Sequence, residues 1–294
     1  MALMGFCAAL IPASMFPHIA KTSPKNKIGL YVGSIVAAGT LGVIFGRVSM
    51  GLLTSIIGWQ FSFRIVSIVL FIFSALTFLS LVEKHDEKSK NHQKLTRLYA
   101  NLIRLFFKPK ILSLLLAGFS LIFGFLGMVT FLTYRLIAHP FYFSSGEVGW
   151  ISFAGITALI APFAGNLSQK IGTYKIIFPG QLICLLSFQL MGWFQSITLT
   201  ALGLLLLFLG VYACQPLVFI LIGQNVTKES IGSASSLYIL FCIGGGSLSS
   251  IFLGPVWRSY GWHGITELCS ISLLISLLIM SIIALKEKDI EGEH

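Results

Sequence analysis

ILSLLLAGFSLIFGFLGMVTFLT, residues 111–133, holds no charge and no proline. At about 1.5 Å per residue, a helix of that length reaches about 35 Å and covers the roughly 30 Å hydrocarbon core of a bilayer. Working outward, comparable apolar runs lie at 2–19, 28–53, 61–82, 148–165, 174–194, 198–222, 232–254 and 264–285. The runs are continuous instead of alternating, so helices are predicted and not a barrel. Nine such spans with short polar joints leave no polar exterior, and the expected fold class is an all-α membrane protein, a polytopic helical bundle of nine transmembrane helices. Composition agrees: 56% of the 294 residues are hydrophobic and 10% charged, against roughly 25% charged in a soluble domain. A soluble enzyme, a nucleic-acid partner and a disordered chain are disfavoured on those grounds.

The charges mark a side. Sixteen of the 20 Lys and Arg fall in alternate joints: Lys21, Lys25 and Lys27, then eight between Lys84 and Lys110, then Lys170 and Lys175, Lys228, Lys286 and Lys288. The opposite joints hold Arg64, Arg135 and Arg258, with Arg47 inside a span. The positive-inside rule makes the basic side cytoplasmic and puts the C-terminus there. The net charge of +10 is therefore topology information. The long basic joint, 83–110, reads as an amphipathic linker lying on an anionic leaflet. Nothing ahead of the first span resembles a removable signal peptide, and none is expected. The five cysteines, Cys7, Cys184, Cys214, Cys242 and Cys269, sit singly in apolar runs without ligand spacing, so they read as packing residues and no metal is expected.

Self-comparison finds a repeat. Ile28-Gly29 and Gly58-Trp59 recur 203 residues later as Ile231-Gly232 and Gly261-Trp262, and Gly42 and Gly51 meet Gly245 and Gly254 at the same offset. Spans one to three thus match spans seven to nine, and spans four to six lack upstream partners. A complete duplication calls for twelve helices, of which this chain is expected to carry the last nine.

Three motifs carry a resemblance. Gly165-Asn-Leu167-Ser-Gln169-Lys170-Ile-Gly172-Thr-Tyr-Lys175 is similar to the cytoplasmic loop signature G-x-L-a-D-r-x-G-r-r of the major facilitator superfamily, with Gln169 in the acidic place. Gly33-x5-Gly39-x2-Gly42-x3-Gly46-Arg47-x3-Gly51 resembles the glycine-rich fifth helix of that family's proton-linked efflux branch. The opening Met1–Ala9 resembles its fourth-helix motif, with Met1 where an arginine would stand. The resemblance implies a twelve-helix fold of two six-helix halves around a central cavity, with helices four to twelve represented and an N-terminal truncation. Its boundaries would be 1–82 for the remainder of the N-terminal half, 83–110 for the inter-half linker, 111–285 for the C-terminal half and 286–294 for a cytoplasmic tail. Gly165, Leu167, Lys170 and Gly172 would form a gating loop; Gly39, Gly42 and Gly46 would pack helices, since small residues three or four apart let backbones approach.

The resemblance further implies that spans one, four and seven line the cavity. On them and on span eight, Thr130, Tyr134, Tyr212, Gln215 and Tyr238 are candidate solute contacts, although such a residue more often makes an interhelical hydrogen bond than a ligand contact. Arg47 stands about 28 Å along its helix from Ile28, near the outer surface, where it either snorkels to headgroups or meets an anion or solute. Glu267 reads as interfacial, and Gln181 and Gln189 as packing. There is no Ser/His/Asp set, phosphate loop or metal motif, and the six His do not cluster, so neither an enzyme nor a cofactor is expected. The expected function is secondary transport of a small organic solute by alternating access, as proton-coupled efflux across the inner membrane of a bacterium, with the lipid bilayer, the solute and protons as partners. The alternatives are an inactive remnant or membrane scaffold derived from such a transporter, and an uptake symporter.

Overall fold

The structure, a computed structural model, describes residues 15, 18–19, 23–24, 27–80, 95–144, 148, 150–227 and 230–292. The first span, 2–19, and the Met1–Ala9 motif lie outside the described residues apart from isolated positions. Every element is helical: α1 (Ile28–Ser80), α2 (Leu95–Phe106), α3 (Pro109–Ile137), a 3₁₀-helix (Trp150–Leu159) running directly into α4 (Ile160–Ile171), α5 (Tyr174–Trp193), α6 (Ile197–Gln224) and α7 (Ile231–Gly292). Among the described residues, six stretches are long and apolar enough to cross a membrane, two of them in α1 and the longest Ile231–Glu287. The count of nine is not reproduced as nine separate helices. Run 148–165 is divided between a 3₁₀-helix and α4, and 232–285 belongs to one continuous element.

That last element turns back on itself. Fifty-seven residues of straight helix would be about 85 Å long, nearly three bilayer cores. Gly261, at φ 60 and ψ −147, is non-helical inside α7. The partners along α3 show the reversal. Before Gly261, Tyr238 lies on Gly118, Leu253 on Gly127 and Trp257 beside Phe131 and Tyr134. After it, the Trp262 ring faces Arg135, Cys269 lies on Gly124, Ser272 donates to the Ser120 carbonyl and Ser276 to that of Ala117. The descent ends where Lys110 meets Glu287 at 2.6 Å. One limb climbs α3 and the other comes down it. Residues 286–292, expected as a tail, continue the second limb as helix.

The repeat is written in the backbone as well. Gly58 breaks α1 at φ 78, ψ 162, and Gly261 breaks α7 at φ 60. Both positive φ values suit a residue without Cβ, and a tryptophan follows each break, Trp59 and Trp262. The basic residues Lys27, Lys108, Lys110, Lys170, Lys175 and Lys286 stand at one set of helix ends, and Trp59, Trp193, Trp257 and Trp262 at the other. An aromatic belt at one interface and ammonium groups at the other are what a bilayer selects.

The core sits among α3, α5, α6 and both limbs of α7, around fully buried Leu114, Met128, Leu132, Phe188, Leu207 and Leu217. Polar side chains inside it are spent on neighbouring helices. Gln181 donates to Ser276 at 2.8 Å, Gln189 to Ser270 at 3.2 Å, and the Trp193 ring nitrogen to Gln189 at 2.8 Å. Both glutamines thus bond across to α7. Cysteines fill small gaps: Cys184 faces Gly210 and Cys214 faces Gly180 across the α5–α6 contact, as packing residues do. Among the described residues, helix α1 reaches this body through its first limb, and Ile56–Leu79 is almost wholly exposed.

Candidate functional site

Helix α1 meets the rest of the chain along the stripe Gly29, Gly33, Ala37, Thr40 and Ile44, spaced by four, four, three and four residues and so on one helical face. A Cβ on Gly29 would overlap the carbonyl of Gly165, and one on Gly33 the carbonyl of Ala161. Farther along, Gly155 lies against the Thr40 and Ile44 side chains, a Cβ there meeting them at 2.9 to 3.2 Å. The two helices run antiparallel. Backbone touches backbone at the basic end, and side chains separate them toward the tryptophan end. Small-residue pairs at four-residue spacing, Gly29/Gly33 on Ala161/Gly165, are what permit so close a crossing.

Gly165 is also the head of the loop signature. Ser168, buried one turn on, donates to its carbonyl at 2.8 Å. Helix α4 ends at Ile171 and α5 begins at Tyr174, so the turn is only Gly172 and Thr173. Gly172 caps α4 by donating its N–H to Ser168 at 3.0 Å, with φ 100 and ψ 143. Lys170, exposed in the last turn of α4, meets the negative end of the helix dipole, and Leu167 is exposed. The backbone region of Gly172 is essentially closed to residues with a Cβ, at a cost of about 1–3 kcal/mol. Gly172→Ala is therefore expected to lower stability by that amount. Unfolding of the full chain in detergent measures it, and an unchanged midpoint would refute the assigned turn.

The predicted packing glycines sit elsewhere. Gly39, Gly42 and Gly46 are exposed, and among the described residues nothing comes within 4 Å of a Cβ built on any of them. The close approach is made by Gly29 and Gly33 instead. Arg47 follows Gly46 on the first limb of α1, toward the tryptophan end; its side chain lies outside the described residues.

The candidate solute contacts divide into two levels. Tyr212 and Gln215 are half-buried on α6 beside Pro216, the Tyr212 ring 6.0 Å from Phe125 and 5.9 Å from Phe208. Tyr238 joins them from α7, but as a tether. It is 5% exposed, its ring covers Gly118 and packs 5.9 Å from Phe219, and its hydroxyl donates to the Gln215 carbonyl at 3.0 Å. Of its two sequence readings, the geometry carries the interhelical one. Thr130, half-buried, and Tyr134, exposed, lie about two turns along α3 from Phe125, toward the tryptophan end, where Tyr134 approaches Trp257 at 6.4 Å.

Arg135 was read as an outer-joint charge, yet it is 5% exposed. Its guanidinium donates to the carbonyls of Met191, in a very short contact, and Phe194, at 2.9 Å, at the end of α5. The ring of Trp262 lies 4.6 Å from its Cζ and that of Phe141 5.4 Å. The indole N–H of Trp262 donates to Met191 as well, at 2.8 Å. Unpaired carbonyls at a helix C-terminus and aromatic faces both attract a cation, and this knot ties α3, α5 and the second limb of α7 together. The only sequence cue is the position of Arg135 in the last turn of an apolar helix.

A family model described as Major Facilitator Superfamily matches residues 1–250. The inner membrane transport protein YnfM of Escherichia coli K12 is 26% identical over 95% of the chain and 66% of its own length. Multidrug resistance protein MdtG of Salmonella arizonae is 28% identical over 90% of the chain and 66% of its own. The crystal structure of the human organic anion transporter MFSD10 superposes with a TM-score of 0.70 at 16% identity, over 92% of the chain and 67% of that structure. The chain thus spans about two thirds of the length of these relatives.

Proposed function

The chain belongs to the major facilitator superfamily of membrane transporters, and from that premise we propose that it exports a small organic solute by alternating access, driven by protons. The observation that carries the reading is the α1–α4 crossing. It joins the part before residue 82 to the part after 111 by backbone-to-backbone contact at the basic end, with Val32 buried beside it. The two small-residue pairs themselves bury little apolar side chain, so parting them exposes little beyond Val32. That is what a seal that opens and closes on each cycle requires. The relatives' names, a multidrug resistance protein among them, favour export of organic molecules, and the inner membrane protein YnfM favours an inner-membrane setting. In this reading the basic end is cytoplasmic, Gly165, Leu167, Lys170 and Gly172 shape the turn that moves with α4, and the boundaries 1–82, 83–110, 111–285 and 286–294 delimit moving parts and connectors.

The solute path then runs past Tyr212 and Gln215 and out by Thr130, Tyr134 and Arg47, while Tyr238 fixes the height of α6. The decisive experiment is transport by the full chain in proteoliposomes under an imposed proton gradient, with a panel of organic cations and anions. Transport that collapses with the gradient supports the reading, and inward accumulation down a reversed gradient would replace export by uptake. Two variants separate the roles. Tyr212→Ala is expected to raise KM at least several-fold with little change in unfolding midpoint. Tyr238→Phe is expected to cost about 0.6–1 kcal/mol of stability, the scale of an interhelical bond in a bilayer, with KM unchanged. The opposite pattern would move Tyr238 into the path.

A further inference from the structure

Helix α2 is divided lengthwise into three stripes. Leu98, Leu102 and Leu105, at steps of four and three, form one face. There Leu105 is buried and Leu102 and Phe106 half-buried, packed against α3 and α7, with the Phe106 ring 6.1 Å from Phe241. The second stripe, Ile103 and Phe107, is apolar yet 61% and 73% exposed. The third carries Arg104 and, just past the end of the helix, Lys108, four residues on. Arg104 and Lys108 are exposed and, among the described residues, meet no carboxylate; the nearby ion pair, Lys110 with Glu287, uses a different lysine.

The place of the helix decides what covers the second stripe. Helix α2 passes through an extended Lys108, φ −75 and ψ 116, directly into α3 at Pro109, at the basic end of the bundle. A helix at that level meets the protein on one side, the boundary of the acyl chains on the next and headgroups on the third, and its stripes are bundle-facing, apolar and cationic in that order. A strongly amphipathic segment with Arg and Lys on its polar face partitions into that boundary, and anionic headgroups attract its charges. The charge balance points to the same occupant, since between Lys84 and Lys110 eight Lys and Arg face two acidic residues, Asp86 and Glu87.

We propose that α2, with the turn that ends it, is an anionic-phospholipid binding strap lying in the plane of the membrane surface, with Ile103 and Phe107 in the acyl boundary and Arg104 and Lys108 on phosphate headgroups. This holds whatever solute the chain moves, and its failure would leave the transport reading untouched. The test labels the full chain at Ile103→Cys with an environment-sensitive fluorophore and reconstitutes it in phosphatidylcholine vesicles with or without phosphatidylglycerol; labelling of the parent supplies the blank for the native cysteines. With phosphatidylglycerol, the probe is expected to shift to the blue, to be quenched by lipids brominated near the headgroup and to lose several-fold of its quenching by aqueous iodide. The pair Arg104→Gln and Lys108→Gln is expected to reverse that gain without moving the unfolding midpoint in detergent. Equal access of iodide in both vesicles would overturn the proposal. So would equal shielding in both with no effect of the glutamines, since the cover would then be apolar contact or a second copy without headgroup recognition.

Discussion

Gly29→Leu is expected to reduce transport by the full chain at least ten-fold while leaving a folded, membrane-inserted protein. The hydrogen of Gly29 points at the carbonyl of Gly165, and any Cβ there would overlap it. No rotamer relieves the overlap, because the obstructing atoms are backbone on both sides and Gly165 is equally intolerant of a Cβ. The helices must therefore move apart toward the ordinary interaxial distance of about 8–10 Å, and the seal at the basic end cannot form. Folding survives because the first limb of α1 keeps its buried Val32, Ala37, Thr40 and Ile44. Ser168, buried one turn from Gly165, reports the separation directly. In a Ser168→Cys background, maleimide is expected to react at least ten-fold faster when Gly29 is leucine. Gly223→Ala, placed where nothing lies within 4 Å of the new Cβ, is the matched control and is expected to transport normally. If Ser168→Cys stays equally slow in the Gly29→Leu chain, or transport survives, the crossing is not a seal.

That prediction also shows where sequence reading stops. The spacing of α1 offers two small-residue faces, Gly29-Gly33-Ala37 and Gly39-Gly42-Gly46. Periodicity says that each is a stripe but not which one meets α4, because α4 lies more than a hundred residues away. The turn at Gly172 and the breaks at Gly58 and Gly261 were legible, since a break in an apolar run at a glycine is a local property of the chain. The apolar run 148–165 gave no hint that its first half is a 3₁₀-helix, since hydrophobicity does not distinguish bonds to the third residue from bonds to the fourth. Tyr238 was ambiguous for a related reason. A hydroxyl in a span must find an acceptor, and the Gln215 carbonyl and a solute satisfy that need equally well. Arg135 was the largest miss: backbone carbonyls leave no mark in the sequence, so a cation they satisfy looks like any joint charge.

Arg135→Leu is expected to cost about 3 kcal/mol of stability. Helix α5 ends at Trp193 and passes into an extended Phe194, φ −104 and ψ 135, leaving its last carbonyls without intrahelical donors. Arg135 supplies donors to two of them, Met191 and Phe194. A hydrogen bond from a charged group is worth about 1.5–3 kcal/mol and a desolvated cation–π contact about 2. Against these stands the cost of holding a guanidinium out of water, partly returned on substitution, which brings the expected net loss to the middle of the range. Arg135→Lys keeps the charge but loses the fork that spans two carbonyls, and is expected to recover less than half. The cluster should behave as a unit, since Trp262 both faces the guanidinium and donates to the carbonyl of Met191. In a double-mutant cycle with Trp262→Phe, measured by unfolding of the full chain in detergent, a coupling of about 1 kcal/mol is expected. Additive losses would mean that the two side chains act separately, and a loss below about 0.5 kcal/mol for Arg135→Leu would mean that α5 is held at this end by its apolar packing alone.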